Sequence, residues 1–332
     1  MSRRLLIRAD ASPSMGTGHV MRCLALALAA RQAGHEVLLA GRVEVDWVLE
    51  RLDHEKVSFH PLPGPIPQAE DPSALLTLVK AQKPNAVVLD GYHFGLDSQK
   101  AIRSAGFRLL VIDDYNHLPE YSADILLNQN LGSDDLPYRG DIGQKLLGPG
   151  YALLRPEFAA ARRLAEQRVW PDKPRRLLLT LGGGDFINHL ERLAPDLNLP
   201  ELAGTTLTVL AGKMAPAKIR AALTGCPAEV EILSGVDDMP GLLLKTDLAI
   251  SAGGSTCWEL CCLGVPFLTV EIAENQQVIV WELASRGVAP AFGPSVLREL
   301  LASDELRGRQ RERGLKLVSP SGVAEVVAAL IG

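Results

Sequence analysis

A short loop near the start of the chain combines two glycines, Gly16 and Gly18, with His19. It joins an apolar run to a helix-forming stretch that begins at Val20. Glycines at such a junction let backbone N–H groups approach an anion, and the positive end of the helix dipole favours the same charge. His19 and Arg22 lie three residues apart and so share one face of this helix. The spacing therefore places a possible general base and a permanent cation beside an anion-binding loop.

Structural roles for the same residues are equally compatible with the sequence. Glycine is favoured in a tight turn that needs a positive φ, and a backbone group can satisfy His19 at the start of a helix. Asp10, just past the first apolar run, either orients the His19 imidazole or caps a turn. Local spacing leaves both interpretations open.

A second glycine-rich loop lies in the other half of the chain, and its candidate ligand-binding residues are Gly253, Gly254, Ser255 and Thr256. Glu259 follows Thr256 by three residues, the spacing of a capping box that satisfies helix-end amides. The same carboxylate could instead hold the hydroxyl pair of a ribose, as an acidic residue does in nucleotide sites. Both roles are open at this point.

A third run of glycines, which includes Gly183 and Gly184, ends the first predicted strand of the second half. Small residues at that position either admit a phosphate or a sugar, or they only turn the chain. The run is therefore a further candidate for substrate binding.

Short apolar runs separated by helix-length segments recur along the chain, which is the pattern of α/β proteins with parallel sheets. The predicted strands of the first half are Leu5–Ala9, Glu36–Ala40, Ala86–Asp90, Arg108–Ile112 and Ile125–Asn128. Those of the second half are Arg176–Leu181, Thr206–Ala211, Glu229–Leu233, Leu248–Ser251 and Pro266–Val270. A helix is expected over Val20–Ala33, with Gly34 as its C-terminal cap.

The length of 332 residues favours two domains. A stretch rich in charged residues and proline marks the boundary, because such segments are typical of linkers. We therefore predict an N-terminal domain over 1–155, a linker over 156–174 and a C-terminal domain over 175–332. Sheets of this kind bind ligands in the crevice outside the carboxyl ends of their strands.

The composition excludes several classes of function. Net charge is −5 with both signs dispersed, so the basic surface of a nucleic-acid-binding protein is absent. No signal peptide is predicted, and the apolar stretch Cys23–Ala30 is short of the about 20 residues that a membrane span needs, so we expect no membrane insertion. The five cysteines lack paired spacing and a neighbouring histidine, so we expect a cytoplasmic protein with reduced thiols, no metal and no cofactor.

Eight segments carry a resemblance to known proteins: Arg8–Asp10, Met15–Cys23, Asp90–Tyr92, Val111–Asp114, Leu147–Phe158, Gly182–Asp185, Ser251–Leu260 and Glu274–Gln276. In this order, and over nearly the whole chain, they resemble the PseG/SpsG-type family, the UDP-sugar hydrolases of pseudaminic acid biosynthesis and their spore-coat polysaccharide relatives. The C-terminal half also resembles the donor-binding half of the inverting glycosyltransferases that make the peptidoglycan lipid precursor.

The resemblance implies a GT-B architecture, in which two Rossmann-like parallel-sheet domains face each other across a cleft and UDP is held mainly by the second. From the family, His19 is expected to be the catalytic base, and Tyr92 and Asn275 are expected near the sugar. Glu274 and Gln276 flank Asn275 in the matching segment, so all three are candidates for substrate binding.

The implied reaction is hydrolysis of UDP-2,4-diacetamido-2,4,6-trideoxy-β-L-altropyranose to UDP and the free sugar, by base-activated attack of water at the anomeric carbon. A UDP-sugar is thus the expected partner, and the sequence is compatible with a monomer without predicting an oligomeric state. Two alternatives are an inverting UDP-sugar glycosyltransferase of the same fold and a non-catalytic nucleotide-sugar-binding protein. UDP release without an acceptor discriminates between the first two.

Overall fold

The computed structural model describes residues 2–212 and 214–332, and it places Asn275 by its backbone alone. The described chain divides into two compact units. The first unit runs to Pro156 and also includes Pro320–Gly332, and the second comprises Glu157–Ser319.

The strands of the first unit are β1 (Arg4–Ala9), β2 (Glu36–Gly41), β3 (Ser58–Pro61), β4 (Ala86–Asp90), β5 (Arg108–Ile112), β6 (Tyr121–Asn128) and β7 (Gly140–Leu147). Those of the second are β8 (Arg176–Thr180), β9 (Thr206–Leu210), β10 (Glu229–Leu233), β11 (Leu248–Ala252) and β12 (Phe267–Val270). The helices are α1 (Gly18–Gln32), α2 (Asp46–His54), α3 (Pro72–Gln82), α4 (Leu96–Ser104), α5 (Glu157–Glu166), α6 (Ile187–Leu193), α7 (Pro216–Ala222), α8 (Met239–Lys245), α9 (Thr256–Cys262), α10 (Gln277–Ser285), α11 (Pro294–Ala302), α12 (Asp304–Leu317) and α13 (Gly322–Ile331). Short 3₁₀ turns occupy Ser133–Asp135, Pro149–Tyr151, Ala194–Leu197, Pro200–Leu202 and Glu274–Gln276.

The first unit is built on a parallel sheet of seven strands in the order β3-β2-β1-β4-β5-β6-β7. Its central strands are buried on both faces, which is why they are continuous apolar runs rather than alternating ones. The chain crosses from β3 to the other side of β1, so the strand order reverses between β1 and β4. A reversal of this kind opens a crevice outside the carboxyl ends of the two strands.

The two faces of this sheet bury different strand residues. Leu5, Ile7 and Ala9 pack in the core that contains α1, whereas Leu6 packs in a second core with Val87 and other residues on the opposite face. This alternation follows from the two-residue period of a strand. The same alternation determines on which face of the sheet the residues just beyond the end of a strand lie.

The second unit holds a parallel sheet of five strands in the order β10-β9-β8-β11-β12. The strand order reverses between β8 and β11, so a crevice of the same kind is expected at their carboxyl ends. The predicted α/β class with two Rossmann-like parallel sheets is therefore confirmed.

Each predicted strand is present, and the largest shift is at β6, which begins at Tyr121 rather than Ile125. The sequence analysis missed β3 and β7. β3 has the sequence SFHP and lies at a sheet edge, and β7 is an edge strand with mostly exposed residues, so neither forms an apolar run. Gly34 caps α1 as predicted, with φ of +86° and its N–H donating to the Arg31 carbonyl at 2.9 Å.

The C-terminal helix α13 corrects the predicted domain limits, because it packs in the core of the first unit and not of the second. Its residues Val323, Val326, Val327 and Leu330 form one apolar stripe and contact the side of α1. α1 is buried around most of its circumference, so the sheet covers one side of it and α13 another. The predicted linker is also shorter than expected, because α5 belongs to the second unit.

One described stretch, Asp304–Ile331, is long and apolar enough to cross a membrane by length and composition. It comprises two helices, since α12 ends at Leu317 and α13 begins at Gly322. The apolar residues of α13 pack in the core of the first unit, and a buried core helix can have the same length and apolar composition as a membrane span.

Candidate active site

The predicted base, His19, lies in α1 directly after the glycine loop and is 8% exposed. The loop is a tight turn, in which the Gly16 N–H donates to the Ser12 carbonyl at 2.8 Å. Gly16 has φ of +85°, a conformation that side chains with Cβ rarely adopt, while Gly18 is the first residue of α1. The turn thus requires Gly16 and delivers the helix start, with His19, to the carboxyl edge of the sheet.

His19 is held by Asp90, the last residue of β4. The distance from His19 Nδ1 to Asp90 Oδ1 is 2.7 Å, and the Asp90 side chain is fully buried. A second neighbour, Arg22 Nη2, lies 3.2 Å from the same Nδ1 and would favour a lone pair there. The shorter contact with a carboxylate decides the tautomer, because two lone pairs at that distance would repel each other. Nδ1 therefore carries the proton, and Nε2 of the neutral ring is a proton acceptor.

Arg22 binds two carboxylates at once. Its Nε and Nη2 donate to Asp90 at 2.7 and 2.6 Å, and its Nη1 and Nη2 donate to Asp114 at 2.7 and 3.0 Å. Burial by itself raises the pKa of Asp90, but the nearby Arg22 and His19 outweigh it and hold that pKa well below its usual value. The pKa of Asp114 is lowered in the same way, burial opposing and Arg22 prevailing. Both carboxylates are therefore ionised beside the His19 ring.

Tyr92 completes this group, which we call the His19 cluster: His19, Arg22, Asp90, Tyr92 and Asp114. The Tyr92 hydroxyl donates to Asp114 Oδ2 at 2.7 Å, and its ring lies edge-on to His19 with centroids 5.1 Å apart. Burial, followed by the charge of Asp114, raises the pKa of Tyr92 far above its usual value. Tyr92 is thus a neutral donor fixed on a carboxylate, and its catalytic role stays a prediction.

Asp10, predicted to orient His19 or to cap a turn, has other partners. It binds the Arg8 guanidinium, and its Oδ1 accepts the backbone N–H of Arg42 at 2.6 Å. His93 Nε2 lies 2.9 Å from its Oδ2. The prediction that Asp10 orients the imidazole is corrected, because Asp90 has that position.

The alternation of strand residues explains why Asp90, and not Asp10, contacts His19. Ala9 and Asp90 are register partners, so they point to the same face, which is the face of α1. Asp10 comes one residue later than Ala9, on the same face as Arg8, and so lies on the opposite side with Glu70. Asp90 therefore faces His19 and Asp10 does not.

Asp10, Glu70 and His93 are close enough together to hold a cation. The Arg8 Nη2 atom, however, lies 2.7 Å from Glu70 Oε2, and Arg42 Nη1 lies 2.8 Å from the same oxygen. Two guanidinium groups thus supply the positive charge that the carboxylates need. This buried group is built as an ion-pair network and does not fit a metal ion.

The glycine loops of the second unit lie at its strand-order reversal. Gly183 and Gly184 follow β8, and the loop with Gly253 and Gly254 follows β11. A Cβ on Gly253 would lie 2.7 Å from Val280 Cγ2, so only glycine permits the loop to approach α10 this closely. The sheet therefore brings both predicted loops to one edge, although they are far apart in the chain.

Three further candidates surround the β11 loop. Thr256 is the first residue of α9, and Ser255 precedes it as the N-cap residue without a side-chain capping bond. The capping box, which requires Thr256 at the N-cap position, does not match this geometry. Glu259 lies one turn into α9 and is half-buried. Its role in ribose binding stays a prediction.

The turn after β12 contains Glu274, which is exposed, and Gln276, which is half-buried. Gln276 Oε1 accepts the backbone N–H of Ile272 at 3.2 Å, so part of its amide is used to hold the turn. The Asn275 side chain lies outside the described residues. The predicted contacts of all three with a substrate stay predictions.

Comparison with known proteins finds relatives that align with most of this chain. No family model matches the chain. The spore coat polysaccharide biosynthesis protein SpsG of Bacillus subtilis is 26% identical over 98% of this chain and 96% of its own length. The UDP-2,4-diacetamido-2,4,6-trideoxy-β-L-altropyranose hydrolase of Campylobacter jejuni is 24% identical over 86% of this chain and 97% of its own length. The resemblance to PseG/SpsG-type proteins is confirmed.

Other relatives and solved structures agree with the fold. An uncharacterised protein of Methanocaldococcus jannaschii is 25% identical over 82% of this chain, which spans 57% of that relative's length. MurG of Acinetobacter baumannii has the same fold, with a TM-score of 0.70, 20% identity and 99% of both chains covered. The glycosyltransferase SnogD of Streptomyces nogalater matches with a TM-score of 0.58, 17% identity and full coverage of both chains. The two Rossmann-like units thus have the fold of GT-B glycosyltransferases.

Proposed function

We propose that this chain hydrolyses a UDP-sugar, UDP-2,4-diacetamido-2,4,6-trideoxy-β-L-altropyranose, to UDP and the free sugar. The observation that carries the proposal is the contact of 2.7 Å between His19 and the buried carboxylate of Asp90. A carboxylate on one ring nitrogen fixes the tautomer and stabilises the imidazolium that forms when the other nitrogen takes a proton. The Campylobacter jejuni relative, covered over 97% of its length, is named for this substrate and this reaction.

In the proposed step His19 Nε2 removes a proton from water, and the water oxygen bonds to the anomeric carbon. The bond between that carbon and the UDP oxygen breaks, and UDP leaves with the electron pair. Asp90 holds the imidazolium that results, and Arg22 keeps Asp90 ionised for this purpose. A positioned base of this kind contributes about 10²- to 10⁴-fold to the rate.

The second unit is proposed to hold UDP at the carboxyl edge of β8 and β11. Glycine-rich loops at a strand-order reversal are the usual position for a nucleotide in such sheets. Glu259 is the proposed ligand of the ribose hydroxyls. Glu259→Ala should weaken UDP binding measured by calorimetry, while Glu312→Ala, which changes an exposed glutamate of α12, should not. An unchanged affinity in a folded Glu259→Ala protein would assign Glu259 to the helix alone.

The decisive experiment measures UDP release by the purified protein in the absence of any acceptor. The unmodified protein should release UDP, and in ¹⁸O-water the label should enter the free sugar and not UDP. His19→Asn should lower turnover by about 10²- to 10⁴-fold. His54→Asn, which changes an exposed histidine of α2 in the same unit, serves as the control and should keep full turnover.

The rival activity is sugar transfer by an inverting glycosyltransferase, which the shared fold with SnogD favours. It predicts that UDP appears only when a sugar or lipid acceptor is added. A non-catalytic binding protein would instead bind the UDP-sugar without turnover and be indifferent to His19→Asn. Label found in UDP would mean attack at phosphorus and would reject the proposed geometry.

We place the reaction in the cytoplasm, because all five cysteines are free thiols.

A further inference from the structure

The turn that follows β5 is held by a buried carboxylate with an unusual number of donors. Asp113 accepts the hydroxyls of Tyr121 and Tyr138 at 2.9 and 2.6 Å. It also accepts the backbone N–H of Asn116 at 2.5 Å and contacts the His117 ring. Each donor removes freedom from the turn, because a satisfied buried carboxylate is costly to disturb. The residues between Asp113 and His117 are therefore presented in one conformation.

Tyr115 lies on this turn with 45% of its surface exposed. Its ring centroid is 5.0 Å from Tyr92 and 6.1 Å from His117. Tyr92 in turn lies 5.1 Å from the His19 ring. The rings thus form a continuous aromatic surface that begins at the proposed base and ends at an exposed tyrosine.

A single exposed aromatic residue is ordinary on a protein surface. Tyr115 differs in two respects, because a buried network fixes the turn that carries it and its ring continues that of Tyr92. The Tyr92 hydroxyl is already used on Asp114, so Tyr92 offers a ligand its ring and not its hydroxyl. Both rings therefore present an apolar surface with a negative π-face, which attracts the C–H groups of an apolar partner.

We propose that Tyr115, together with the ring of Tyr92, is the surface on which the sugar of the nucleotide-sugar stacks, and that Tyr115 favours sugars with apolar substituents. A 6-deoxy sugar with acetamido methyl groups has such substituents, whereas a sugar with a free 6-hydroxyl presents a polar group in their place. The inference rests on the proposed function only in taking the ligand to be a nucleotide-sugar. Tyr115 acts on sugar affinity and has no part in the proton transfer.

The test measures binding by calorimetry in a His19→Asn background, so that turnover does not consume the ligand. The ligands are UDP, UDP-2,4-diacetamido-2,4,6-trideoxy-L-altrose and UDP-N-acetylglucosamine, the last of which keeps its 6-hydroxyl. Tyr115→Ala should weaken binding of the deoxy sugar nucleotide by about 3- to 10-fold, the size of one aromatic contact. The affinity of this variant for UDP should change by less than about 2-fold, which is less than one aromatic contact produces, because UDP lacks the sugar that the ring is proposed to contact.

Two further variants sharpen the result. Tyr115→Phe keeps the ring and should bind like the parent protein. Leu164→Ala removes a similarly exposed apolar side chain from α5 and is the control, with no expected effect on any of the three ligands. The preference for the deoxy sugar over UDP-N-acetylglucosamine should shrink in Tyr115→Ala alone.

The proposal is overturned if Tyr115→Ala keeps that preference, or if it weakens UDP and the UDP-sugars equally. It is also overturned if Tyr115→Phe behaves like Tyr115→Ala, because the hydroxyl and not the ring would then be responsible. A parent protein in which the sugar adds no affinity to UDP would overturn it as well. Failure of the proposed function is distinguishable, since it appears as absent UDP release by the protein with His19 intact.

Discussion

Replacing Asp90 by asparagine separates the orientation of His19 from the mere presence of an imidazole. Asp90 accepts contacts of 2.7 Å from His19 Nδ1, 2.7 Å from Arg22 Nε and 2.6 Å from Arg22 Nη2. Asparagine has nearly the same shape but offers one oxygen and one NH₂ group. Arg22 Nη2 and His19 Nδ1 share Oδ1, and Arg22 Nε contacts Oδ2, so the NH₂ group faces one Arg22 N–H whichever way the amide lies. With the NH₂ group at the Oδ1 position, the imidazole keeps a lone pair on Nδ1 and its proton on Nε2, where a base must have none. With the oxygen there, Nδ1 keeps its proton, but the imidazolium loses the negative charge that stabilises it.

The expected loss of turnover follows from the lost carboxylate in either orientation of the amide. An orienting carboxylate that becomes an amide, with the geometry intact, lowers turnover by about 10⁴-fold in the best-studied case, a serine protease. We expect about 10³- to 10⁴-fold for Asp90→Asn on the same physical ground. The stability cost should be smaller than the 3–5 kcal/mol typical of a broken buried ion pair, because Arg22 keeps Asp114. We expect about 1–3 kcal/mol in the free energy of unfolding.

Asp114→Asn is the matched control. It also removes one carboxylate from Arg22, but Asp114 makes its contacts with Arg22, Tyr92 and Asn130 rather than with His19 Nδ1. Its stability loss should be similar and its loss of turnover much smaller. The assay is acceptor-free UDP release at saturating substrate, beside urea unfolding of each variant. Equal turnover losses in the two folded variants would refute the argument, since they would show that charge around Arg22 matters and the contact of Asp90 with His19 does not.

Three further predictions concern stability. Burial by itself raises the pKa of Asp113, but the donors His117, Tyr138 and the Asn116 amide outweigh burial and lower that pKa to about 2. The ionised carboxylate therefore stabilises the folded protein by about 2 kcal/mol. This contribution is complete above about pH 4 and is lost as the pH falls toward 2. Urea unfolding from pH 5 to 2 should show this loss, and a protein equally stable at both ends would contradict it. Gly91→Ala should lower the free energy of unfolding by about 1–3 kcal/mol, measured by thermal unfolding. Gly91 has φ of +153°, and the added Cβ would lie 2.7 Å from the His93 ring. An unchanged melting temperature would mean that the loop relaxes freely. Leu330→Ala in α13 should cost about 2–5 kcal/mol if α13 belongs to the core of the first unit, and a cost below 1 kcal/mol would show that α13 docks only loosely.

The locally encoded features of this protein followed from its sequence. Strands buried on both faces must be apolar throughout, so β1, β4 and β5 were evident as runs. His19 and Arg22 lie on one helix face because of their three-residue spacing, and the structure brings Arg22 Nη2 within 3.2 Å of His19 Nδ1. The edge strand β7 was missed for the converse reason, since its exposed residues carry no apolar signal.

The partners of those residues were not locally encoded. Asp90 is 71 positions from His19, and Asp114 is 92 positions from Arg22. Aspartates stand at the ends of three neighbouring strands, and the choice of Asp10 relied on its nearness in the chain. A usable signal did exist, because Asp90 continues the alternation of Ala86 and Val88, which face α1.

By itself, then, the sequence determined the parallel-sheet architecture, the glycine loops at the strand ends, and a histidine with an arginine on one helix face. Only the tertiary structure decided that Asp90 and not Asp10 orients His19, that Tyr92 is tied to Asp114, and that α13 returns to the first unit. The physical reason is the same in each case. Periodicity along one segment determines which of its faces is buried, whereas the identity of the partner depends on strand order, on register and on which neighbouring face still needs to be covered.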